Sequence, residues 1–579
     1  MVIKSLYSFI KDKKLGTKVS LQTLAEEFIQ KHQETPTIFI DCSNIHILYH
    51  FNNKYSKYGW NWNMIVKRFK IFVRNLREIG IEPKVYFRGK FGGFDAKKWI
   101  NWVETDYNIA CKIYESIDSN EKSDIKTLNY DLTYFRFILK YECKCQVYNI
   151  IENIYPKLAD IAAKQDNCLG IISMNLEYIL FDTKPYFTFY KMDFDNLSTD
   201  MLNASELIRE TSLNLSQLKL LSCLLGNELI PKEKMLPFYE IINYVSITPS
   251  EQVQKVIELI RRNNWSGSFD ELPEISRVTG IEEEFLHKGL SSYQICFQNN
   301  TDEDDSYPSS QILKTIEEKW KRSEVPSGFY DIVKRHIFVD KSNLEDSMDG
   351  TFPRTALLYR PMRQKMYRVI FGNDNVVVNE WCMYDQSNYD EADEVTIHEE
   401  RFDGFIPPLD ELLSNNIELQ TTRWKLFLYC LDIQISMETL QKLNPSHVSL
   451  CCILNYMLKN GVKLKKRELM AFICQALHPL NENKRLLNWM NVEFSSTTLR
   501  LCNLLERGIY NLMYIVTACG FPFRLNGVMP WKIFNRKIFL HVYEELHKEN
   551  GIETVSKGLE RNAKLFRSLV DIVIADMNT

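Results

Sequence analysis

Four polar residues fall where apolar runs stop. Asp41 closes Thr37-Ile38-Phe39-Ile40, Arg88 follows Lys84 to Phe87, and Asn175 and Glu177 follow Leu169 to Ser173. Each run reads as a buried strand. In open α/β sheets ligands collect at the carboxyl ends of strands, so these four are candidates for one shared site. A second constellation is basic. From Lys54 to Lys98 the chain has twelve basic and three acidic residues, a local net of +9, with Tyr58, Trp60, Trp62, Phe87, Phe91, Trp99 and Trp102 among or just beyond them. Basic side chains neutralise phosphates and aromatic faces stack on unpaired bases, the chemistry of single-stranded nucleic acid binding. Lys67, Arg68, Arg74, Lys90, Lys97 and Lys98 are the expected phosphate contacts; the plainer reading is a solvated helix face whose aromatics fill the core. His46 and His50, spaced i, i+4, share a helical face, but no glutamate completes a metalloprotease pattern, so they are assigned to packing and surface. The smaller cluster Lys463 to Arg467 reads as a helix surface.

The elements that must position these residues follow from the apolar pattern. Strand runs at Thr37 to Asp41, Lys84 to Phe87, Gln146 to Asn149 and Leu169 to Ser173 alternate with helical stretches such as MIVKRFKIFVRNLREIG. That alternation predicts an α/β domain with a parallel sheet covered on both faces. From Leu202 the pattern turns helical. The stretch NNTDEDDSYPSS is acidic and nearly devoid of apolar residues, which reads as a linker. The expected organisation is therefore an α/β domain over 1–298, a linker over 299–326, and a mainly helical domain over 327–579. That last domain opens with a small antiparallel sheet formed by TALLYRPMRQKMYRVIFGNDNVVVNEWCMY. At 579 residues, with 45% hydrophobic and 25% charged, the chain has apolar material for two or three cores. A net charge of -4 gives no global pull toward nucleic acid or anionic membrane, so any such binding must be local. Neither a secretory leader nor a membrane span is expected, and the fourteen cysteines, without any Cys-x-x-Cys, read as reduced buried thiols.

The ordered blocks TIFIDCS, KVYFRGK, NCLGIISMNLEYILFD and LLSCLLGNELIP resemble those of the flap-endonuclease and XPG nucleases, a PIN-like fold. They are more similar still to the constitutive coactivator of PPAR-gamma family within that superfamily, through LLYRPMRQKMYRV, NEWCMY, FICQAL and TACGFPFRLNGVMPWKIF, so the resemblance covers nearly the whole chain. It implies a site that, in active nucleases, holds two Mg²⁺ ions with about seven carboxylates. Carried over in order, those positions are Asp41, Arg88, Ile154, Pro156, Asn175, Glu177 and Glu228, of which only Asp41, Glu177 and Glu228 are acidic. Glu152 and Asp160 lie near Ile154 and Pro156, where the register is loosest. A guanidinium repels Mg²⁺ and cannot coordinate it.

These observations imply a catalytically inactive nuclease-fold scaffold with no catalytic residue, bound metal or cofactor. It would bind RNA, or protein partners of a regulatory or ribonucleoprotein complex, in post-transcriptional or transcriptional regulation. Two rival readings stand beside this one: a weak Mg²⁺-dependent structure-selective nuclease using Asp41, Glu177 and Glu228, and a pure protein-interaction coregulator without nucleic acid binding. Neither a membrane nor duplex DNA is an expected partner, since the stretch after Glu228 lacks the glycine-rich hairpin by which the nucleases grip DNA. The expected compartment is the cytoplasm, with the nucleus as a second. In the degenerate site Arg88 is expected to replace the cations and to pair with Asp41, Glu228 or both. Three Leu-x-x-Leu-Leu stretches begin at Leu221, Leu409 and Leu501; most such matches are core helices, and only Leu409 to Leu413, behind Pro407-Pro408 and flanked by acids, is a candidate for an exposed helix-in-groove motif.

Overall fold

The computed structural model describes residues 4–43, 62–89, 94–119, 132–294, 310–340, 344–346 and 350–575, apart from 152, 228, 231, 373, 385–389 and 479–494. The chain divides into two compact units: 1–48, 68–91 and 139–306 form one, and 49–67, 92–138 and 307–579 the other.

The first unit is built on seven strands: β1 (Thr17–Ser20), β2 (Thr37–Asp41), β3 (Glu82–Arg88), β4 (Gln146–Ile150), β5 (Cys168–Ser173), β6 (Tyr186–Thr188) and β7 (Ser198–Leu202). They lie in the order β1-β7-β6-β5-β2-β3-β4. β6, β5, β2, β3 and β4 are mutually parallel, and β7 and β1 add antiparallel at one side. Every residue of β2 is buried, as a central strand covered on both faces requires. Strand order reverses between β2 and β5, so the crevice of the sheet opens where Asp41 and Ser173 end their strands. The helices Leu215–Leu225 and Pro249–Arg262 each begin with a capping box, Asn214 with Gln217 and Thr248 with Glu251, which fixes their first turns. Their apolar faces, with Leu6, Phe9 and Ile10 of the helix Lys4–Asp12, fill a continuous core against Phe39, Ile171 and Tyr186 of the sheet.

The second unit is mainly helical. Its axis is the helix Ser496–Ala518, buried along most of its length. Beside it stands a three-stranded sheet in the order β10-β9-β8, with β8 at Ile337–Val339, β9 at Val377–Trp381 and β10 at Asp393–Thr396.

The expected fold class holds: an α/β parallel-sheet domain, then a mainly helical part with a small sheet. Three details differ. The small sheet is mixed and not antiparallel, because β8 runs parallel to β9 and only β10 is antiparallel to it. TALLYRPMRQKMYRVIF forms the helices Thr355–Leu358 and Arg360–Phe371, not strands. Its helical pattern was masked in the sequence because Arg363 and Lys365, both buried, interrupt the apolar face set by Met362, Met366 and Val369. Finally, one boundary at 299–326 does not describe the division: the chain passes from the first unit to the second at 306, within that stretch, but 49–67 and 92–138 also belong to the second. The helix Gln311–Lys321 buries Ile316 and Trp320, and the helix Ala96–Asp118, from the chain's first third, packs Ile113 and Tyr114 with Leu344 and Leu499. The Tyr114 hydroxyl donates to the Leu344 carbonyl at 3.0 Å, a partner 230 residues away that no local pattern discloses.

Candidate functional site

At the end of β2 the carboxylate of Asp41 is 2% exposed and accepts four hydrogen bonds. The Ser43 backbone N–H (2.9 Å) and hydroxyl (2.6 Å) donate to Oδ1. The Ser173 hydroxyl (2.9 Å) and Tyr178 hydroxyl (3.1 Å) donate to Oδ2. Each partner is placed by local chain chemistry. Ser43 lies two residues on, within reach of an Asx turn. Ser173 ends β5 beside the crevice, and its Oγ accepts from the Asn175 N–H at 3.0 Å. Asn175 caps the 3-10 turn Leu176–Phe181, its Oδ1 accepting from the Glu177 N–H at 3.1 Å, and that turn brings Tyr178 back over Asp41. Tyr178 is held edge-on to Tyr155 at 5.5 Å, and Tyr186 donates to the Ser173 carbonyl at 2.8 Å.

Burial raises the Asp41 pKa above its ordinary value, with the hydrogen bonds from Ser43, Ser173 and Tyr178 opposing it. Burial and the adjacent Asp41 charge push the Tyr178 phenol well up, so it stays a donor. Glu177 is 4% exposed, and its charge, after burial, raises the Tyr293 phenol and the Cys223 thiol. Those residues belong to the helices Glu283–Ser291 and Leu215–Leu225 or the turns beside them, so Glu177 faces the segment that leads to position 228. The Nδ2 of Asn175 is buried without a hydrogen-bond partner.

Several expected site residues lie elsewhere. Arg88 is the last residue of β3, half-buried, and is not among the partners of Asp41. Of the expected pairing of Arg88 with Asp41, Glu228 or both, the Asp41 arm is corrected, since hydroxyl groups and one backbone N–H satisfy that carboxylate, and the Glu228 arm falls outside the described residues. Ile154 is fully buried in the core, and Pro156 lies in the first turn of the helix Ile154–Ala163, where its missing N–H costs no hydrogen bond. Asp160 pairs with Lys164 at 2.7 Å. Glu228, Glu152, Lys90, His46 and His50 lie outside the described residues. The two residues that sequence reading missed are Ser173 and Tyr178. Their signal is the block SMNLEY, with a hydroxyl residue on each side of the carried-over positions.

The donor set departs from what a pair of hard cations requires. Mg²⁺ takes charged or carbonyl oxygens, whereas the oxygens of Asp41 are already occupied by four protein donors and Asn175 turns its oxygen to the backbone. Among the described residues no group of three or more His, Cys, Asp or Glu side chains converges as a metal site would.

The basic residues are distributed. Lys67, Lys70, Arg74 and Arg77 are exposed along one stripe of the helix Trp62–Glu78, yet Lys70 pairs with Glu142, Arg74 with Glu78 and Arg77 with Glu82. Lys67 and Arg68 make no ion pair among the described residues. Lys97 and Lys98 open the helix Ala96–Asp118; Lys98 pairs with Asp95, and Lys97 has no acid partner among the described residues. Next to them Trp99 is buried, whereas Phe94, Trp102 and Trp381 are only partly so, with the Phe94 and Trp381 rings 4.5 Å apart. Trp381 comes from β9, far in sequence from the basic region it joins. The three Leu-x-x-Leu-Leu stretches are buried at their leucines, including Leu409, Leu412 and Leu413, so the expectation of an exposed motif there is corrected. The thirteen described cysteines are all free thiols, twelve of them buried. No helix among the described residues is long and apolar enough to cross a membrane.

Residues 211–296 match the FAM120A-like domain. Over 99% of this chain and 95% of the relative, the sequence is 23% identical to the constitutive coactivator of peroxisome proliferator-activated receptor gamma of Bos taurus. It is 28% identical to constitutive coactivator of PPAR-gamma-like protein 1 of Homo sapiens, over 40% of this chain and 23% of that one. Among solved structures it is similar to human GEN1 in complex with Holliday junction DNA, at 13% identity and a TM-score of 0.30, covering 65% of this chain and 82% of the other. Across nearly its whole length the chain is similar to the constitutive coactivators of PPAR-gamma, in agreement with the resemblance carried by its motifs.

Proposed function

We propose that this chain is a non-catalytic scaffold on a nuclease-like fold, working as a coregulator that holds RNA and protein partners together in the nucleus and cytoplasm. The observation that carries the reading is the state of Asp41. The one acidic ligand position on the central strand is sealed from solvent and spends all four of its hydrogen bonds on Ser43, Ser173 and Tyr178. A carboxylate so engaged has to break a buried network before it can ligate a cation, and each lost hydrogen bond costs about 0.5–1.5 kcal/mol. The coregulator part rests on the homologues, whose name is that of a nuclear-receptor coactivator. Incubating the full chain with flap, bubble and single-stranded DNA and RNA in Mg²⁺ or Mn²⁺ is expected to yield no cleavage above buffer. Turnover that disappears in Asp41→Ala would overturn the reading and restore the nuclease alternative.

The RNA part is supported by Lys67, Arg68 and Lys97, exposed or half-exposed cations without acid partners among the described residues, and by the partly exposed Phe94, Trp102 and Trp381 next to Lys97 and Lys98. Lys67→Glu with Arg68→Glu, and separately Lys97→Glu with Lys98→Glu, are expected to weaken single-stranded RNA binding in a filter assay. Each lost phosphate contact should flatten the log-log salt dependence by about 0.7. Unchanged affinity and slope in both variants, with unchanged melting, would reduce these residues to a solvated surface and favour a protein-only scaffold.

A further inference from the structure

The helical unit carries a groove of about 850 Å³ that none of the preceding chemistry uses. It lies along the helix Ala563–Ile574 and the 3-10 turn Glu560–Asn562 before it, facing Ile435 and Thr439 at the short helix Met437–Gln441. The helix is anchored from its other side: Leu569 and Val573 are buried, their carbonyls accepting from Cys451 Sγ at 3.8 Å and Asn455 Nδ2 at 3.0 Å in the helix Pro445–Lys459. Its groove face is therefore fixed in place.

That face carries Arg561, Lys564 and Arg567, all exposed, at i, i+3 and i+6, a spacing that sets neighbouring side chains about 5–6 Å apart. None of the three makes an ion pair among the described residues. Asp571, four residues beyond Arg567 and in the same wall, is not engaged by it, although a pair in that order is formed elsewhere in the chain, by Arg74 with Glu78. Besides its charged residues the lining is Ile435, Ala563, Ile572 and Ala575 with the small hydroxyls of Thr439 and Ser568, and it includes no aromatic ring.

We infer that this groove docks an acidic amphipathic segment of a partner protein, its carboxylates meeting Arg561, Lys564 and Arg567 and its aliphatic side chains resting on Ile435 and Ile572. Charge complementarity selects an anionic partner. The aliphatic lining selects among anions: a single nucleic acid strand gains by stacking bases on aromatic faces, which the groove lacks, whereas an amphipathic helix gains by laying an aliphatic stripe into an apolar trough. Glu560 and Asp571, at the two sides of the cation row, repel carboxylates placed beyond it and so set the register of the segment.

The test uses the full chain and a short fluorescein-labelled peptide repeating Glu-Glu-Leu-Leu, read by anisotropy, with a Glu-only peptide, a Lys-Lys-Leu-Leu peptide and labelled oligo(U) as comparators. Wild type is expected to prefer the Glu-Glu-Leu-Leu peptide to the Glu-only one. Arg561→Glu with Lys564→Glu and Arg567→Glu should weaken it at least about tenfold and transfer preference to the Lys-Lys-Leu-Leu peptide. If that variant melts early, Lys564→Gln with Arg567→Gln takes its place, with a smaller loss expected. Equal binding of the two acidic peptides by wild type, or equal binding by wild type and variant, overturns the proposal. So does oligo(U) displacing the peptide in a manner abolished by the same variant, which would assign the groove to nucleic acid.

Discussion

Replacing Glu380 by alanine is expected to cost the helical unit about 3–5 kcal/mol, the usual penalty when one member of a buried ion pair is removed and the other stays behind. Glu380 stands on β9, the middle strand, and is fully buried; Arg363 opposite it is 1% exposed. The pair is bidentate, Nε to Oε1 and Nη2 to Oε2 at 2.7 Å each, with Tyr367 donating to Oε1 at 2.8 Å and Arg360 to Oε2 at 3.0 Å. The remaining donors of Arg363 reach Asn511 of the axial helix and the Ala356 carbonyl. Helix, sheet and axis are thus joined through one charge cluster, and alanine leaves a guanidinium in the core without its counterion. Glu380→Gln keeps an acceptor for Tyr367 and should cost less. Arg363→Met with Glu380→Leu should recover much of the loss, because a well-packed apolar pair of similar volume removes the desolvation cost along with the attraction. Burial pushes the Glu380 pKa up, but Arg363, Arg360 and Tyr367 outweigh it and hold the carboxyl below the ordinary 4.5. Its contribution is therefore complete above that value and is lost as pH falls through the lowered one, so the wild-type advantage over Glu380→Gln should shrink only in acid. Urea melts of the three variants across pH measure all of this. An alanine variant as stable as wild type would mean that the cluster is not buried as described.

This cluster also marks where the sequence stopped being legible. Strands β2, β3, β4 and β5 could be read within a residue or two because each is a short β-branched and aromatic run bounded by polar residues, and a parallel central strand must be apolar on both faces. Asp41 could be singled out for the same reason, as the first charge after such a run. The helix Arg360–Phe371 could not be read as a helix, since its buried arginine and lysine look like the polar half of a strand alternation. The charges are tolerated only because Glu380, Glu400 and Asp432 arrive from distant segments to meet them. The attachment of the helix Ala96–Asp118 to the helical unit was hidden likewise: an amphipathic helix announces that it needs a partner, not which one. In the site, the non-acidic residues at 88 and 175 are visible letter by letter. The partners of Asp41 were not, because Ser173 and Tyr178 are ordinary residues until the crevice brings them to it.

Asp41→Ala is expected to destabilise the first unit by about 1–3 kcal/mol, the desolvation cost of leaving buried donors without an acceptor. Three side chains and one backbone N–H converge on this carboxylate, and the alanine variant leaves the Ser173 and Tyr178 hydroxyls facing a void at the switch point of the sheet. Asp41→Asn preserves the shape and one acceptor oxygen, and the hydroxyls opposite its amide can turn to accept, so its loss should be smaller. The pH dependence has the opposite sign from that of Glu380. Burial raises the Asp41 pKa above the ordinary 3.8 in the folded state, so between the two values the folded chain binds more protons than the unfolded one. Stability then falls as pH rises through that window, and wild type should gain on Asp41→Asn as the solution is acidified toward 3.8. A metal-binding Asp41 behaves differently: Mg²⁺ holds the ionised form and adds stability by mass action, in a manner lost in Asp41→Asn. Thermal melts of wild type and both variants, with Mg²⁺ and with chelator, separate the two accounts. The hydroxyl cage predicts melting that ignores the metal and a wild-type advantage that grows in acid; metal-dependent melting of wild type alone would return Asp41 to the chemistry of the nucleases.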